Sequence, residues 1–552
     1  DTDDDIDIAD GLTLASGGSL TLDATTGGIG GVNLTLNAAD GVTLNDGLTT
    51  SGTLTVDADT DGADNDGTFT TVAAVSAGNN AISITANDIA LGSTLSSGST
   101  TTTITDSDGT GVGLGDTAIT NGLNITGAEL QNITATGFEI ATGGGVTVDN
   151  ITAANSNNLS GTTTLDATGL ITFATAASVF NTLAVEADGG VAVNVDLSTD
   201  TGALAIDSDI DNDDSGTLNF AAGVTVASAD TLSLDAAATA GIVGAGALDL
   251  DAAEGITINN NLTTAGATDL VADSDADDGV GTLTLAASVT LDTTNSALTI
   301  TAEDLDLSGT GIDSGTASTT ITDSDGNGIG LGDTQSTTGL DISTAELQKI
   351  TATGLELVSG GNIDVDNVLA ANTANVSGTL TLDSAADINV LNNAIVITNA
   401  LALEADNQVD IDVAITTNAG NLTIDGDANN AADTDDDIDI ADGLTLASGG
   451  SLTLDATTGG IVLSGSGDTV TIQTSGGTGN ITLSDDVSDT GTATNLVLTT
   501  DSSATQGDIS VEAISAGYVK IDAAATSVGD VTINDNITAA AANGGIGIDI
   551  DA

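Results

Sequence analysis

Residues 11–44 read GLTLASGGSLTLDATTGGIGGVNLTLNAADGVTL. Four units in this stretch, Leu12-Thr13-Leu14, Leu20-Thr21-Leu22, Leu34-Thr35-Leu36 and Val42-Thr43-Leu44, alternate apolar residues with threonine. Gly, Asp, Asn and Ser separate them. Apolar-Thr-apolar has the period of two expected of a strand with one buried face. The β-branched threonine suits the outer side of a pleated surface. The separators are residues that tolerate tight turns and positive φ. Strands this brief, continued for over 500 residues, do not fit a series of sandwich domains, whose strands are longer. They fit a β-solenoid, in which each coil gives a few short strands and stacks on the next.

Leu14, Leu36 and Val56 hold equivalent places, which predicts coils of about 20–22 residues. At ~4.8 Å of rise per coil the chain would form roughly 25 coils and a rod on the order of 120 Å. No helical period of useful length is present. The chain has no proline, as expected where every coil's N–H groups are needed by its neighbours.

A longer repeat lies above the coil. Residues 1–29 recur identically at 433–461, and the block from Ile104, ITDSDGTGVGLGDT, returns from Ile321 as ITDSDGNGIGLGDT. The chain therefore divides into repeat units 1–216 and 217–432 and a partial unit 433–552, read as one continuous rod. Between copies apolar positions stay apolar: Phe69 corresponds to Leu283, Phe138 to Leu355 and Ile125 to Ile342.

Composition removes whole classes of chemistry. Among 552 residues there is no Cys, Met, Pro, Trp or His, and Lys349 and Lys520 are the basic residues against 81 acidic ones, a formal net charge of -79. Imidazole bases, thiolate nucleophiles and the usual zinc ligands are absent. So negative a surface repels nucleic acid and anionic lipid. No apolar run reaches the ~20 residues of a membrane span. The chain begins at Asp1 without Met or a signal-like segment and is read as a mature product or the ordered part of a larger one. Aromatics are 1%, so the core is expected to be narrow and filled by stacked aliphatic side chains.

The G-x-L-T-L units at Gly11–Leu14, Gly18–Leu22, Gly41–Leu44 and Gly449–Leu454, with Gly-Gly-Ile steps at 27–29 and 459–461, resemble the filamentous-haemagglutinin-like, or β-strand-repeat, surface proteins of bacteria. The resemblance implies an all-β, right-handed parallel β-helix, export to the cell surface, and a role in adhesion or matrix.

The acidic residues are clustered. The groups are Asp57, Asp59, Asp61, Asp64 and Asp66; Asp106 and Asp108 with Asp116; Asp207, Asp209, Asp211 and Asp213; and Asp273, Asp275 and Asp277. They continue with Asp323 and Asp325 with Asp333, then Asp425 and Asp427 leading into Asp433, Asp435 and Asp437. D-x-D-x-D-G resembles the first half of a calcium loop, where alternate carboxylates converge on a hard cation. The closing bidentate Glu of an EF-hand is missing in each, so looser sites completed by neighbouring coils are expected. Two readings stand: loosely bound Ca2+ or another divalent cation, or solvated acidic turns adapted to salty water. Stacked coils would place like charges above one another, which favours a screening cation.

The functional expectation is an extracellular structural fibre, not an enzyme, extended by association with copies of itself end to end or laterally. Cell-surface or matrix glycans are further candidate partners, and nucleic acid is not. The alternatives are the stalk of a bacterial adhesin and a calcium-dependent surface-layer protein. Electron microscopy separates the three as filaments, radiating stalks or a lattice.

Overall fold

A computed structural model describes residues 5–62, 65–276, 279–334, 339–431, 436–465, 467–476, 478–490, 494–501, 507–523, 529–540 and 547–552. The chain is a parallel β-solenoid of about 21 turns, with ~24 residues per turn. It divides into two compact units, Asp1–Ala267 and Thr268–Ala552.

In the first unit most strands pair with the strand three before them, so a coil has three faces, and the step changes to four or two around the helices. One coil runs Leu34–Ala38, Val42–Leu44 and Leu48–Thr50, and the next strand, Leu54–Asp57, lies back on the first. Leu34 faces Leu54 and Leu36 faces Val56 in parallel register. The second unit repeats the scheme: Ala400–Ala405, Gln408–Ile411 and Ile415–Thr417 precede Leu422–Asp425, which pairs with Ala400–Ala405. Strands alternate buried and half-buried positions along their length, as in Leu34–Ala38 and Thr469–Thr474. The apolar-Thr-apolar unit is thus a strand with threonine outside and aliphatics stacked within.

The expected coil of 20–22 residues is too short on average, and the register shows why. Leu36 faces Val56, twenty residues on, but Val56 faces Ile84, twenty-eight on, across the coil that carries the acidic stretch from Asp57 to Gly67. Ile104 faces Ile140, thirty-six on, because that coil accommodates a strand pair and a helix at one corner. The helix Gly127–Asn132 starts with a capping box: Glu129 N–H donates to Thr126 Oγ1 at 3.2 Å, and Glu129 Oε2 accepts from Thr126 N–H at 3.0 Å. Ser343 and Glu346 repeat the device at the helix Thr344–Leu347. Reciprocal capping satisfies two N-terminal donors, which lets a single turn of helix exist at a solenoid corner.

All five phenylalanines are buried. Phe69 lies between Val42 and Ile89 of the adjoining coils, and Phe220 between Val193 and Gly244, so a large ring is matched by a smaller neighbour. An apolar void of about 10 Å³ among Leu331, Val365, Leu380 and Leu403 lies inside the second unit. Its lining is wholly apolar and gives a water no hydrogen-bond partner.

Candidate functional site

Strands that end on the same face release their next residues at the same corner. In the second unit Thr268–Val271, Leu298–Ala302 and Ser318–Asp323 are stacked neighbours. Two residues beyond the first strand comes Asp273, one beyond the second comes Glu303, and two beyond the third comes Asp325. One oxygen from each of these carboxylates lies within 4.8 Å of the others. Asp273 is 2% exposed; its Oδ1 accepts from Ala276 N–H at 3.0 Å and its Oδ2 from Ser324 Oγ at 2.5 Å. Asp325 Oδ2 accepts from Asn327 Nδ2 at 3.2 Å. Glu303 and Asp325 are half-buried, and Glu303 Oε2 and Asp325 Oδ1 meet no donor among the described residues. Burial, then the charges of Asp325, Asp323 and Asp273, push the Glu303 carboxyl up to about 7. Burial and Asp273 raise that of Asp325 above the usual carboxylate range as well.

A second group forms within one loop. Asp209, Asp211 and Asp213 bring one oxygen each within 4.8 Å of one another. Asp209 is 6% exposed, with Oδ2 accepting from Asp214 N–H at 3.2 Å and Oδ1 accepting no hydrogen bond. Asp207 Oδ1 accepts from Asp209 N–H and Asp211 Oδ1 from Asp213 N–H, the pattern of Asp-stabilised turns.

The other expected ligands serve as turn acceptors or face solvent. Asp57 Oδ1 accepts from Asp59 N–H, and buried Asp59 accepts from Gly62 N–H and Ser107 Oγ; Asp61 and Asp66 are exposed. Asp106 Oδ2 takes Gly111 N–H and Thr142 Oγ1, while Asp108 takes Thr110 N–H and Asn87 Nδ2. Asp116 and Asp333 accept from Asn150 and Asn367, each at 2.6 Å. Asp323 Oδ2 accepts from Gly328 N–H and Ser359 Oγ. Asp275 is exposed. Asp425 accepts from Asp427 N–H, Asp427 from Thr458 N–H and Oγ1, and Asp437 from Gly460 N–H. Asp64, Asp277, Asp433 and Asp435 lie outside the described residues.

Glu303 was not legible in the Asp-x-Asp pattern, because it sits between two strands, Leu298–Ala302 and Asp304–Leu307, outside the aspartate-rich loops. The signal that finds it is the strand register, which puts residue 303 between 273 and 325. A further arrangement escaped the sequence for the same reason. Asp166, Glu186, Asp207 and Asp235 face one another on four consecutive coils of the first unit. Asp383, Glu404, Asp425 and Asp455 do so in the second. Burial, then neighbouring carboxylates, raise Glu186 and Glu404 above their ordinary values. A groove of about 260 Å³, lined in part by Glu186, Asp207, Ile210, Asp235 and Asn259, runs beside the first ladder.

No helix among the described residues is long and apolar enough to cross a membrane. No family model, curated protein or solved structure matches the chain.

Proposed function

We propose that the chain is an extracellular structural protein that forms or extends a surface filament, with divalent cations at some of its acidic corners and no catalytic role. The observation that carries this reading is the coil-on-coil register within each unit: strands pair in parallel with the coil before and the coil after, so each repeat adds length. Composition supports it, since the chain has no His or Cys to serve as an imidazole base or a thiolate nucleophile, and two lysines stand against 81 acidic residues. The same charge favours an environment rich in cations. Copies of the chain are the principal partners in this reading, with surface or matrix glycans as secondary ones.

Negative-stain electron microscopy of the purified full chain and of the native material tests the reading. Single filaments are expected. Stalks radiating from cells would favour the adhesin, a two-dimensional lattice would favour the surface layer, and isolated globular particles would overturn all three.

A further inference from the structure

The corner at Glu303 has a counterpart in the first unit that closes with a different donor. There the strands Leu54–Asp57, Ile82–Ala86 and Thr101–Asp106 stack as Thr268–Val271, Leu298–Ala302 and Ser318–Asp323 do. Just beyond them Asp59 corresponds to Asp273, Asn87 to Glu303, Ser107 to Ser324 and Asp108 to Asp325. The frames agree. Asn87 N–H donates to Gly67 O at 2.9 Å and Glu303 N–H to Gly281 O at 3.0 Å. Ser107 Oγ donates to Asp59 Oδ2 at 2.6 Å and Ser324 Oγ to Asp273 Oδ2 at 2.5 Å.

In the first unit the middle residue is a donor: Asn87 Nδ2 gives one hydrogen to Asp108 Oδ2 at 3.1 Å and one to Asn121 O at 3.3 Å. In the second a carboxyl replaces the amide, and Glu303 and Asp325 are hydrogen-bonded to each other. An ionised carboxylate only accepts, so that bond requires a proton on one of the two. The surroundings place it on Glu303. Asp325 accepts from Asn327 Nδ2 at 3.2 Å, and Asp273 accepts from Ala276 N–H and Ser324 Oγ, donors that favour the ionised form. Glu303 Oε2 meets no donor among the described residues, and Glu303 stands where the first unit has its donor. The charged groups that face it are Asp273, beyond the preceding stacked strand, and Asp323 and Asp325, at and beyond the following one. Lys349 Nζ is turned to Leu307 O. Burial first, then these three carboxylates, raise the Glu303 carboxyl from 4.5 to about 7. Burial and Asp273 raise Asp325 as well, yet its bond with Glu303 acts in the lowering sense, as on an acceptor.

We propose that Glu303 is a proton-operated latch of the second unit: protonated, it donates to Asp325 and ties two neighbouring coils, as Asn87 does in the first unit; ionised, it loses that bond and faces like charges, so the corner loosens. An amide keeps its hydrogens at every pH, so the first unit has no such latch at Asn87. A Glu raised on folding from 4.5 to about 7 gives stability that is complete below 4.5 and is lost as pH rises to about 7. The latch is separate from filament formation, and it fills this corner with a proton in place of a cation.

The test is an NMR titration of the full chain, isotope-labelled at the glutamate side-chain carboxyl carbon, after chelation and dialysis at fixed ionic strength. The Glu303 signal is the one absent from Glu303→Gln, whose amide donates as Asn87 does; circular dichroism checks that its β-signature is kept. A midpoint at about pH 7 is expected, and one near 4.5 overturns the proposal. Asp325→Asn removes a facing charge and leaves Glu303 in place, so the Glu303 midpoint should fall; an unmoved midpoint overturns the pairing. The thermal midpoint of Glu303→Gln should gain on that of the unaltered chain as pH rises from 4.5 through about 7, and a difference independent of pH counts against the latch. Repeating the titration with CaCl2 should leave the Glu303 midpoint where it was; a fall towards 4.5 would give the corner to a cation and overturn the proposal.

Discussion

Glu404 stands directly opposite Asp425 on the neighbouring parallel strand, and on its other side it faces Asp383. A side chain between two like charges is held there by the strands, not by its own interactions. The ladder is the electrostatic cost of stacking coils whose outward positions repeat.

Replacing the middle charge should therefore stabilise the protein. Glu404→Gln is expected to raise stability by about 0.5 kcal/mol, the scale of a directly opposed like-charge pair. Urea denaturation measures it, and a loss of stability would show that the carboxylate has a partner in solution.

The pH dependence follows from the same ladders. Burial first, with neighbouring carboxylates adding to it, raises Glu186, Asp235, Asp383, Glu404 and Asp425 above their ordinary values of 3.8 for Asp and 4.5 for Glu. As pH rises past those ordinary values the unfolded chain releases its protons while the folded chain still holds them. Stability is lost from there up to the raised folded values, and stays lost above them. The thermal midpoint at constant ionic strength should climb as pH is lowered from neutral towards the ordinary values of 3.8 and 4.5. A midpoint that falls across that range contradicts the account.

Salt should act in the same direction. At pH 7.5 the midpoint is expected to rise as NaCl goes from roughly 0.01 M to 1 M, where the screening length shrinks from ~30 Å to ~3 Å. The rise should be smaller in Glu404→Gln, and an equal rise in both would assign the effect to other carboxylates.

Gly115 and Gly332 are the same position in the two units, at φ +92° and +94°. A Cβ at either would come 2.0 Å from a backbone oxygen, that of Asp149 or Asp366. Gly115→Ala should therefore destabilise by more than about 1 kcal/mol, and Gly332→Ala should behave alike. Urea midpoints check this, and a neutral result in either would mean that the corner can rearrange.

Phe138 is 1% exposed and lies between Thr102 and Thr163 of adjacent coils. Phe138→Ala is expected to cost about 3–5 kcal/mol, read as a lowered urea midpoint. Amide exchange should locate the loss in the surrounding coils, because solenoid stability is carried by nearest neighbours.

Much of this was present in the order of residues. The run from Gly11 to Leu44 contains the strands, their buried face and their turns, because a period of two is a property of three adjacent residues and needs no partner to be read. The copy of Ile104–Thr117 at Ile321–Thr334 pointed to corresponding corners in the two units. In the acidic pairs two apart, such as Asp57 and Asp59 or Asp425 and Asp427, the first carboxylate ends a strand and accepts the backbone N–H of the second.

What local order could not supply was the meeting of residues from different coils. The spacing from one coil to the next varies from nineteen residues, as between Ile29 and Leu48, to thirty-eight, as between Leu95 and Ile133, since acidic loops and a capped helix enlarge some corners and not others. No constant spacing therefore predicts that Asp273, Glu303 and Asp325 meet, or that Glu186 faces Asp207. The sequence by itself determined that the chain would wind into stacked strands with an aliphatic interior, because burial and turn chemistry act locally. The tertiary structure alone decided which carboxylates share a corner, because only hydrogen-bonded register converts residues dozens of positions apart into neighbours.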